Sequence, residues 1–181
     1  MNYNGNDLFK FSVHDGLLSD TSQVSITIHA VNDAPVGSDT LMVTDEDTEY
    51  SGVLAGVDVE DDPLIYGIVD STLHGSVIIT DADAGTFSYG PSMNYNGSDQ
   101  FSYFVQDSSL TDTAIVSITV NAVNDTPVSL DSSFAINEDN SFTGALLADD
   151  VDGDEMVYTI VDSSLNGTVI ITDSTSGVYT Y

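Results

Sequence analysis

The sequence predicts an all-β protein made of tandem seven-stranded sandwiches, and three observations lead to that fold class. Residues 1–89 and 93–181 are two copies of one pattern, offset by 92 positions, and 44 of their 89 residue pairs are identical. Apolar and polar residues alternate in short runs rich in valine, isoleucine, threonine and tyrosine, as in half-buried strands. Turns containing glycine or asparagine separate these runs. A fixed period of this size is typical of a tandem array.

The complete copy divides into seven predicted strands. In the last of them Val116, Ile118 and Val120 alternate with polar residues, and His74–Gly75 marks a turn before an apolar run. The strands are predicted at residues 38–44, 49–56, 64–69, 75–81, 85–90, 99–106 and 113–123. Seven short antiparallel strands with regular turn spacing predict an immunoglobulin-like Greek-key sandwich.

The period also predicts the domain boundaries, and the chain is out of phase with its own repeat. Residues 1–35 match the last two strands of a preceding repeat, residues 36–127 form one complete repeat, and residues 128–181 match the first five strands of a following repeat. A lone hairpin is marginally stable in water. We therefore expect the two partial copies to fray, or to complement each other between chains.

The charge of the chain is strongly one-sided. Thirty acidic residues stand against a single basic residue, Lys10, and the formal net charge is −29. A surface of this sign argues against nucleic acid or an anionic membrane as a partner. No stretch approaches the roughly 20 apolar residues of a membrane span, and cysteine is absent. Two interpretations of the acid remain open: a solubilising surface, or ligation of a metal ion.

Acidic and amide residues recur at three fixed places in each copy. One group forms the linkers between repeats, just before a proline: Asn32, Asp33, Asn124 and Asp125. A second group lies in the loop after the second predicted strand, with carboxylates at positions i, i+2 and i+4: Asp58, Glu60 and Asp62, then Asp150, Asp152 and Asp154. The third group is scattered at strand ends: Asp7, Glu46, Asp99 and Asp107.

The predicted strand directions bring these groups together at two junctions between repeats. The first junction combines Asp7 and Asp107 with the linker at 32–33 and the loop at 58–62, and the second combines Glu46 and Asp99 with residues 124–125 and 150–154. Clusters of oxygen ligands suit Ca²⁺, which accepts six to eight oxygens in flexible geometry, whereas Zn²⁺ prefers histidine and cysteine. The alternative is that aspartate and asparagine are present only as turn formers.

The residues give little support for catalysis. The three histidines are not kept between the copies, since His14, His29 and His74 align with Gln106, Asn121 and Asn166. Paired carboxylates can serve a glycosidase, but each acidic pair here recurs at a linker or loop, as a structural element does. We therefore expect no enzymatic activity.

Carbohydrate binding is the alternative function, because aromatic side chains on a sandwich can stack against sugars. Tyr95 is expected to pack its own loop and Tyr103 to face the core, which leaves Phe104 as the outward-facing candidate. The position that matches Phe104 in the other copy is Ser12. Aromatic stacking is therefore not a property of the repeat.

The motifs VNDAPV, DEDT, HGSVIITD and NYNGSDQFSYFVQD together resemble the cadherin-like tandem repeats of very large bacterial surface proteins, many of them RTX-type adhesins exported by type I secretion. The resemblance covers essentially the whole chain. It implies a calcium-rigidified extracellular rod that acts as a stalk in cell adhesion and biofilm formation, with neighbouring repeats and cell-surface or glycan ligands as partners.

The resemblance also implies calcium-binding roles for residues at matching positions of the two copies: Asn32, Asp33, Asn124 and Asp125 in the linkers, Glu46 and Glu138 in the first strand, Asp58, Glu60, Asp150 and Asp152 as paired acids, and Asp15 and Asp107 late in the repeat. The sequence departs from the animal cadherin pattern in two respects. Its linker contains fewer acids, and NYNGSD, which includes Asp99, replaces the Asp-Arg-Glu motif.

Overall fold

The structure, a computed structural model, describes residues 2–181 and confirms the all-β fold class. The chain forms two compact units, residues 1–121 and 122–181. The first unit contains an N-terminal hairpin followed by the complete repeat, and the second contains the C-terminal partial copy.

The hairpin consists of β1 (Gly5–His14) and β2 (Ser19–Ile28), which pair in antiparallel register from one end to the other. These strands align with the last two strands of the complete repeat. Their larger apolar side chains are substantially exposed: Phe9, Phe11, Val13, Val24, Ile26 and Ile28.

The complete repeat contains nine strands among the described residues, because β3 precedes the first predicted strand and the second predicted strand is divided in two. The strands are β3 (Val36–Gly37), β4 (Thr40–Asp45), β5 (Tyr50–Val53), β6 (Gly56–Val57), β7 (Ile65–Asp70), β8 (Gly75–Asp81), β9 (Thr86–Pro91), β10 (Gly97–Gln106) and β11 (Thr111–Asn121).

The strands form a sandwich of two main sheets. One sheet has the order β4-β11-β10-β7 and the other β5-β9-β8, with β3 and β6 paired at the side. β4 runs parallel to β11, and the other pairs are antiparallel. β3 and β4 are separated by two residues and pair with different partners, β6 and β11. The second predicted strand is divided into β5 and β6 because β5 pairs with β9, whereas β6 pairs with β3.

The Tyr103 hydroxyl connects the two points where strands are divided. It lies 2.7 Å from the Ser38 carbonyl and 2.8 Å from the Ala55 carbonyl, both acceptors, and it accepts a hydrogen bond from the Ser38 N–H at 3.2 Å. The side chain is fully buried. The hydroxyl has one hydrogen and donates it to one of these two carbonyls at a time, so it lies within hydrogen-bond distance of both points where the sheet ladders are interrupted.

The core lies between the two sheets and is dominated by the last two strands. β10 and β11 supply seven of the twelve residues of the buried apolar cluster, and the Phe101 ring packs edge-on against Phe87 at a centroid distance of 5.3 Å. Such a pair adds a specific geometry to the burial of apolar area. The last two strands therefore supply more than half of the buried apolar residues of this core.

The second unit contains five short strands: β12 (Val128–Leu130), β13 (Thr143–Ala145), β14 (Leu147–Asp149), β15 (Ile170–Asp173) and β16 (Val178–Thr180). They form a β12-β14 pair and a β13-β16-β15 sheet. Residues 157–162, which align with β7, form no strand. In the complete repeat β7 is held in its sheet by β10.

The repeat offers a matched pair of substitutions that tests how the core is distributed. Phe101 is 1% exposed, whereas Phe9, at the same position of the other copy, is 52% exposed. Phe101→Ala is expected to lower the free energy of unfolding by about 3–5 kcal/mol, and Phe9→Ala by less than about 0.5 kcal/mol. Urea unfolding at low protein concentration, followed by near-ultraviolet circular dichroism, measures both. Equal losses would contradict the assignment of the core.

Candidate metal centre

The loop at residues 58–62 is organised by its first carboxylate and holds the linker. Asp58 Oδ1 accepts hydrogen bonds from the backbone N–H groups of Glu60 at 2.9 Å and Asp62 at 3.2 Å. Glu60 Oε2 in turn accepts a hydrogen bond from the Asp33 N–H at 3.2 Å. A loop carboxylate is therefore bonded directly to the backbone of the linker.

The second oxygen of Asp58 differs from the first in its surroundings. Asp58 Oδ2 is buried, and within residues 2–181 it has no hydrogen-bond partner. A buried polar atom left without a partner costs about 1–3 kcal/mol, and more when it carries charge. An oxygen ligand to a hard cation would remove that cost, so this carboxylate fits a calcium-type site.

The second unit repeats the arrangement. Asp150 Oδ1 accepts hydrogen bonds from the N–H groups of Asp152 at 3.0 Å and Asp154 at 3.2 Å. The Asp125 N–H donates to Asp152 Oδ2 at 2.7 Å. The same bond between linker and loop thus forms twice, with a glutamate in one copy and an aspartate in the other.

Both loops turn through a left-handed residue at the same position. Asp61 has a φ of 61° and Gly153, its counterpart, a φ of 75°. Aspartate and glycine tolerate this conformation better than most residues. The carboxylate just before this residue, Glu60 in one loop and Asp152 in the other, is the one that accepts the hydrogen bond from the linker.

Asp107 completes the set of residues around the first linker. Its Oδ1 accepts hydrogen bonds from the N–H groups of Ser109 at 2.6 Å and Leu110 at 2.7 Å, and its Oδ2 accepts from Asn32 Nδ2 at 2.7 Å. The Leu110 N–H, then the Asn32 amide and the Ser109 N–H, lower the pKa of Asp107 below its ordinary value. Asp15 forms the same turn in the hairpin, with the N–H groups of Leu17 and Leu18 bonded to its Oδ1.

A residue that sequence reasoning did not select also reaches the first linker. Asn2 Nδ2 donates to Asp33 Oδ2 at 2.7 Å, and a cleft beside this contact is lined by Asn2, Tyr3, His29, Asp33 and Glu60. Asp7 instead lies in β1, where its Oδ1 accepts a hydrogen bond from the adjacent Leu8 N–H at 2.8 Å. The signal for Asn2 was present in the MNYNG motif, which begins both copies.

Asp99 is bound within its own sandwich. Its Oδ1 accepts from the Leu73 N–H at 3.0 Å, and its Oδ2 accepts from the His74 N–H at 3.1 Å and the Tyr89 hydroxyl at 3.0 Å. A further hydrogen bond comes from the Gln100 N–H at 2.9 Å. The bonds from Leu73 and His74 anchor the turn before β8 to β10, and the bond from Tyr89 connects β9 to β10, so Asp99 has a structural role.

Glu46 is buried where β4 ends, and its N–H donates to the Asn121 carbonyl at 2.9 Å. Glu46 and Asp99 belong to the first unit, whereas the linker residues Asn124 and Asp125 belong to the second. The grouping of these residues at a second junction therefore stays a prediction.

Within residues 2–181, no three histidine, aspartate or glutamate side chains converge on one point as a preformed metal cage. Several of the carboxylates accept backbone hydrogen bonds, and each oxygen has a second lone pair available. A cation here would need amide, backbone carbonyl and water oxygens besides carboxylates. Calcium accepts this mixture of ligands.

The aromatic residues considered for sugar binding have packing roles. The Tyr95 ring stacks on His74 at a centroid distance of 4.1 Å, and Tyr103 is fully buried, as expected from the sequence. Phe104 lies over Gly67, where an added Cβ would come within 2.4 Å of its ring. The Phe104 ring thus fills space above a glycine on the outer face of the sheet.

The separate pairing of β3 and β4, the two facing sheets and the acidic linker define the class of protein as an immunoglobulin-like, cadherin-like repeat domain. A family model described as a bacterial Ig domain matches residues 32–119 and 124–181. These ranges include most of the chain, which therefore belongs to the bacterial Ig domain family. Both matched ranges begin at a linker asparagine.

Solved cadherin structures have a similar fold. Extracellular cadherin domains 1–4 of protocadherin gamma B7 align with 97% of this chain and 48% of their own, at 20% identity and a TM-score of 0.59. Mouse protocadherin-24 EC1–3 aligns with 97% of this chain and 65% of its own, at 19% identity and a TM-score of 0.58. These similarities establish the fold alone.

An endo-fucoidan hydrolase from glycoside hydrolase family 107 aligns with 66% of this chain at 27% identity and a TM-score of 0.41, and the chain spans 19% of that protein. A search of curated protein sequences gives no significant match. Among residues 2–181 there is no helix with the length and apolar character needed to cross a bilayer.

The lowered pKa of Asp107 predicts a pH dependence of stability. Because its pKa is lower in the folded state than in the unfolded chain, its stabilising effect is complete above the unfolded value of about 3.9. It is lost as the pH falls through the lowered folded value. Asp107→Asn should therefore be less stable than the wild type at neutral pH, with the difference shrinking below about pH 4.

Thermal unfolding between neutral and acidic pH measures this difference. Asp83→Asn removes the same charge from an exposed turn and serves as the control, with no change expected at neutral pH. A difference between wild type and Asp107→Asn that stays constant down to strongly acidic pH would contradict the assignment.

Proposed function

We propose that this chain is a calcium-stiffened repeat module, a non-catalytic spacer in a large bacterial surface or secreted adhesin. The observation that carries the proposal is the buried Oδ2 of Asp58, which has no hydrogen-bond partner among the described residues. In the same loop, the Glu60 carboxylate is bonded to the backbone of the linker. The family membership and the cadherin-like fold are consistent with an extracellular location.

The residues proposed to hold calcium surround each linker. At the first linker they are Asn32, Asp33, Asp58, Glu60, Asp62 and Asp107, and at the second linker they are Asn124, Asp125, Asp150, Asp152 and Asp154. Bound calcium would supply positive charge to a surface that carries almost none of its own. The protein residues fix the loop and attach it to the linker backbone.

The proposed effect of calcium is mechanical. Without a cation, the carboxylates of loop and linker repel one another, and only hydrogen bonds such as that from the Asp33 N–H to Glu60 oppose this repulsion. Sites of extracellular modules bind calcium with dissociation constants of about 0.1–1 mM. Calcium at a hundred times the dissociation constant adds about 2.7 kcal/mol per site to the free energy of unfolding.

The adhesin context is the finer part of the proposal, and it rests on the resemblance to RTX-type surface proteins. Export by type I secretion would place the module where calcium is plentiful. Stiff repeats would then hold adhesive modules away from the cell, in cell adhesion or biofilm formation. The partners in this role are neighbouring repeats of the same chain and ligands on another surface.

A double substitution tests the calcium sites. In Asp58→Asn/Asp150→Asn, the amide oxygen can still accept the two loop N–H bonds, whereas the second carboxylate oxygen is replaced by an amino group. The variant should therefore fold, but it should lose most of the calcium-dependent gain of about 2.7 kcal/mol per site. Urea unfolding at controlled free calcium, together with calorimetric titration, measures the gain.

The matched control removes two charges from the same loops at positions outside the proposed ligand set, in Asp61→Asn/Glu155→Gln. Asparagine tolerates the left-handed conformation of residue 61, so this control should keep both its fold and its calcium response. If the two double variants lose the calcium response equally, then the net charge, and not the Asp58 and Asp150 carboxylates, determines calcium binding.

A further inference from the structure

A cleft of about 430 Å³ opens on the complete repeat where β7 ends beside β10. One wall is the turn after β7, with Leu73 and His74. The other wall contains Gln100, Ser102 and Ile115, which alternate with buried residues along β10 and β11. The volume lies within the range of about 300–1,000 Å³ that is typical of ligand pockets.

The cleft follows from an irregular end of β7. Between Ser102 and Tyr103 the pairing of β10 with β7 skips Val69, which forms a β-bulge. β7 ends one residue later, at Asp70, whereas β10 begins at Gly97. The first residues of β10 therefore have no β7 beside them. Bulges of this kind are common next to functional sites, where they redirect a side chain and end the pairing of a strand.

The polar lining is held in place by hydrogen bonds within the repeat. The Ser102 hydroxyl accepts a bond from the Asp70 N–H at 3.0 Å and donates to Asp70 Oδ2 at 2.9 Å. On the opposite wall, Asp99 accepts the N–H groups of Leu73 and His74. An ordered lining of this type lowers the entropy cost of binding a ligand.

We propose that this cleft binds a neutral saccharide. Sugar hydroxyl groups both donate and accept hydrogen bonds, which suits a lining with the Gln100 amide, the Ser102 hydroxyl and the Asp70 carboxylate. The C–H face of a sugar ring can pack on Ile115 and Leu73, which are 43% and 83% exposed.

The charge of the lining argues against an anionic glycan. Sulfate and carboxylate groups are recognised mainly by arginine and lysine, and the one such side chain in the sequence, Lys10, lies in the hairpin. The cleft instead contains the carboxylates of Asp70 and Asp99. Because Asp99 already accepts four hydrogen bonds, Asp70 alone would have to attract a basic peptide.

The edge of β10 in the cleft is also poorly suited to a peptide. A peptide that adds to a sheet as a strand needs free backbone groups on the sheet edge. In the part of β10 that extends past β7, the Gln100 N–H is bonded to Asp99 Oδ1 at 2.9 Å. This carboxylate therefore occupies a donor that an incoming strand would use.

The lining belongs to the complete repeat and is not required by the fold. At the matching positions of the hairpin, Leu8 replaces Gln100 and Gln23 replaces Ile115. The acidic residues of the linkers and of the loop after the second strand recur between copies. The cleft is therefore a separate feature from the proposed calcium sites.

An exchange of residues between copies tests the site. Gln100→Leu/Ile115→Gln introduces the residues that the hairpin has at these positions, so the variant should fold. The wild type should bind at least one of the neutral hexasaccharides of glucose, galactose and mannose, and the double variant should bind it about tenfold more weakly. Leu41→Ser is the control, because Leu41 is 84% exposed on β4, outside the cleft, and Ser133 has its position in the other copy. The control should bind like the wild type.

Calorimetric titration of the 1–181 chain in a chelator measures binding, with dextran sulfate and tetralysine as comparison ligands. Near-ultraviolet circular dichroism verifies that both variants are folded. The proposal is overturned if no neutral hexasaccharide binds the wild type, or if the double variant binds as well as the wild type. Binding of tetralysine or dextran sulfate in place of the neutral sugars would overturn the ligand class. Since calcium is absent, these results are separate from a failure of the proposed calcium sites.

Discussion

Hydrogen bonds from backbone N–H groups to carboxylate oxygens are the interaction on which the rest of the structure depends. With thirty acidic residues and one lysine, the chain has almost no side-chain cations to balance its charge. Asp58, Asp107 and Asp150 each accept two backbone N–H bonds within their own loop or turn, and Asp99 accepts three from β10 and the turn before β8. The acidic residues therefore fix the loop geometry, and they do more than keep the surface soluble.

The linkers are attached to the loops by the same type of hydrogen bond. At each linker a loop carboxylate accepts the N–H of the linker aspartate, Asp33 or Asp125. The linker is thereby bonded to the repeat that follows it, and negative charge is concentrated around it. Asp58 Oδ2 remains buried there, and no donor among the described residues reaches it. A divalent cation would give Asp58 Oδ2 the partner that backbone N–H groups give to Asp58 Oδ1.

The sequence was sufficient to predict most strands, because alternation and turn residues are local signals. It did not predict β3 or the division of the second strand, since these depend on which sheet each piece joins and on the buried Tyr103 hydroxyl. The second unit forms no strand at residues 157–162, although the sequence there closely resembles β7, and in the complete repeat β7 pairs with β10, a strand distant in sequence.

The candidate site likewise contains residues that the sequence identified and residues that it missed. The i, i+2, i+4 spacing identified the loop carboxylates, because their hydrogen bonds lie within five residues. Asn2 was missed because its contact with Asp33 spans 31 positions. The anchoring role of Asp99 was missed for a similar reason, since two of its donors lie 25 and 26 positions earlier in the chain. Contacts at such separations leave no periodic trace in a single sequence.

The central claim is that calcium stiffens the linkers between repeats, and small-angle X-ray scattering tests it most directly. Profiles of the 1–181 chain, extrapolated to zero concentration to remove association, would be compared with calcium and with a chelator. The account predicts a longer maximum dimension and a more rigid profile with calcium. Superimposable profiles under the two conditions would contradict it.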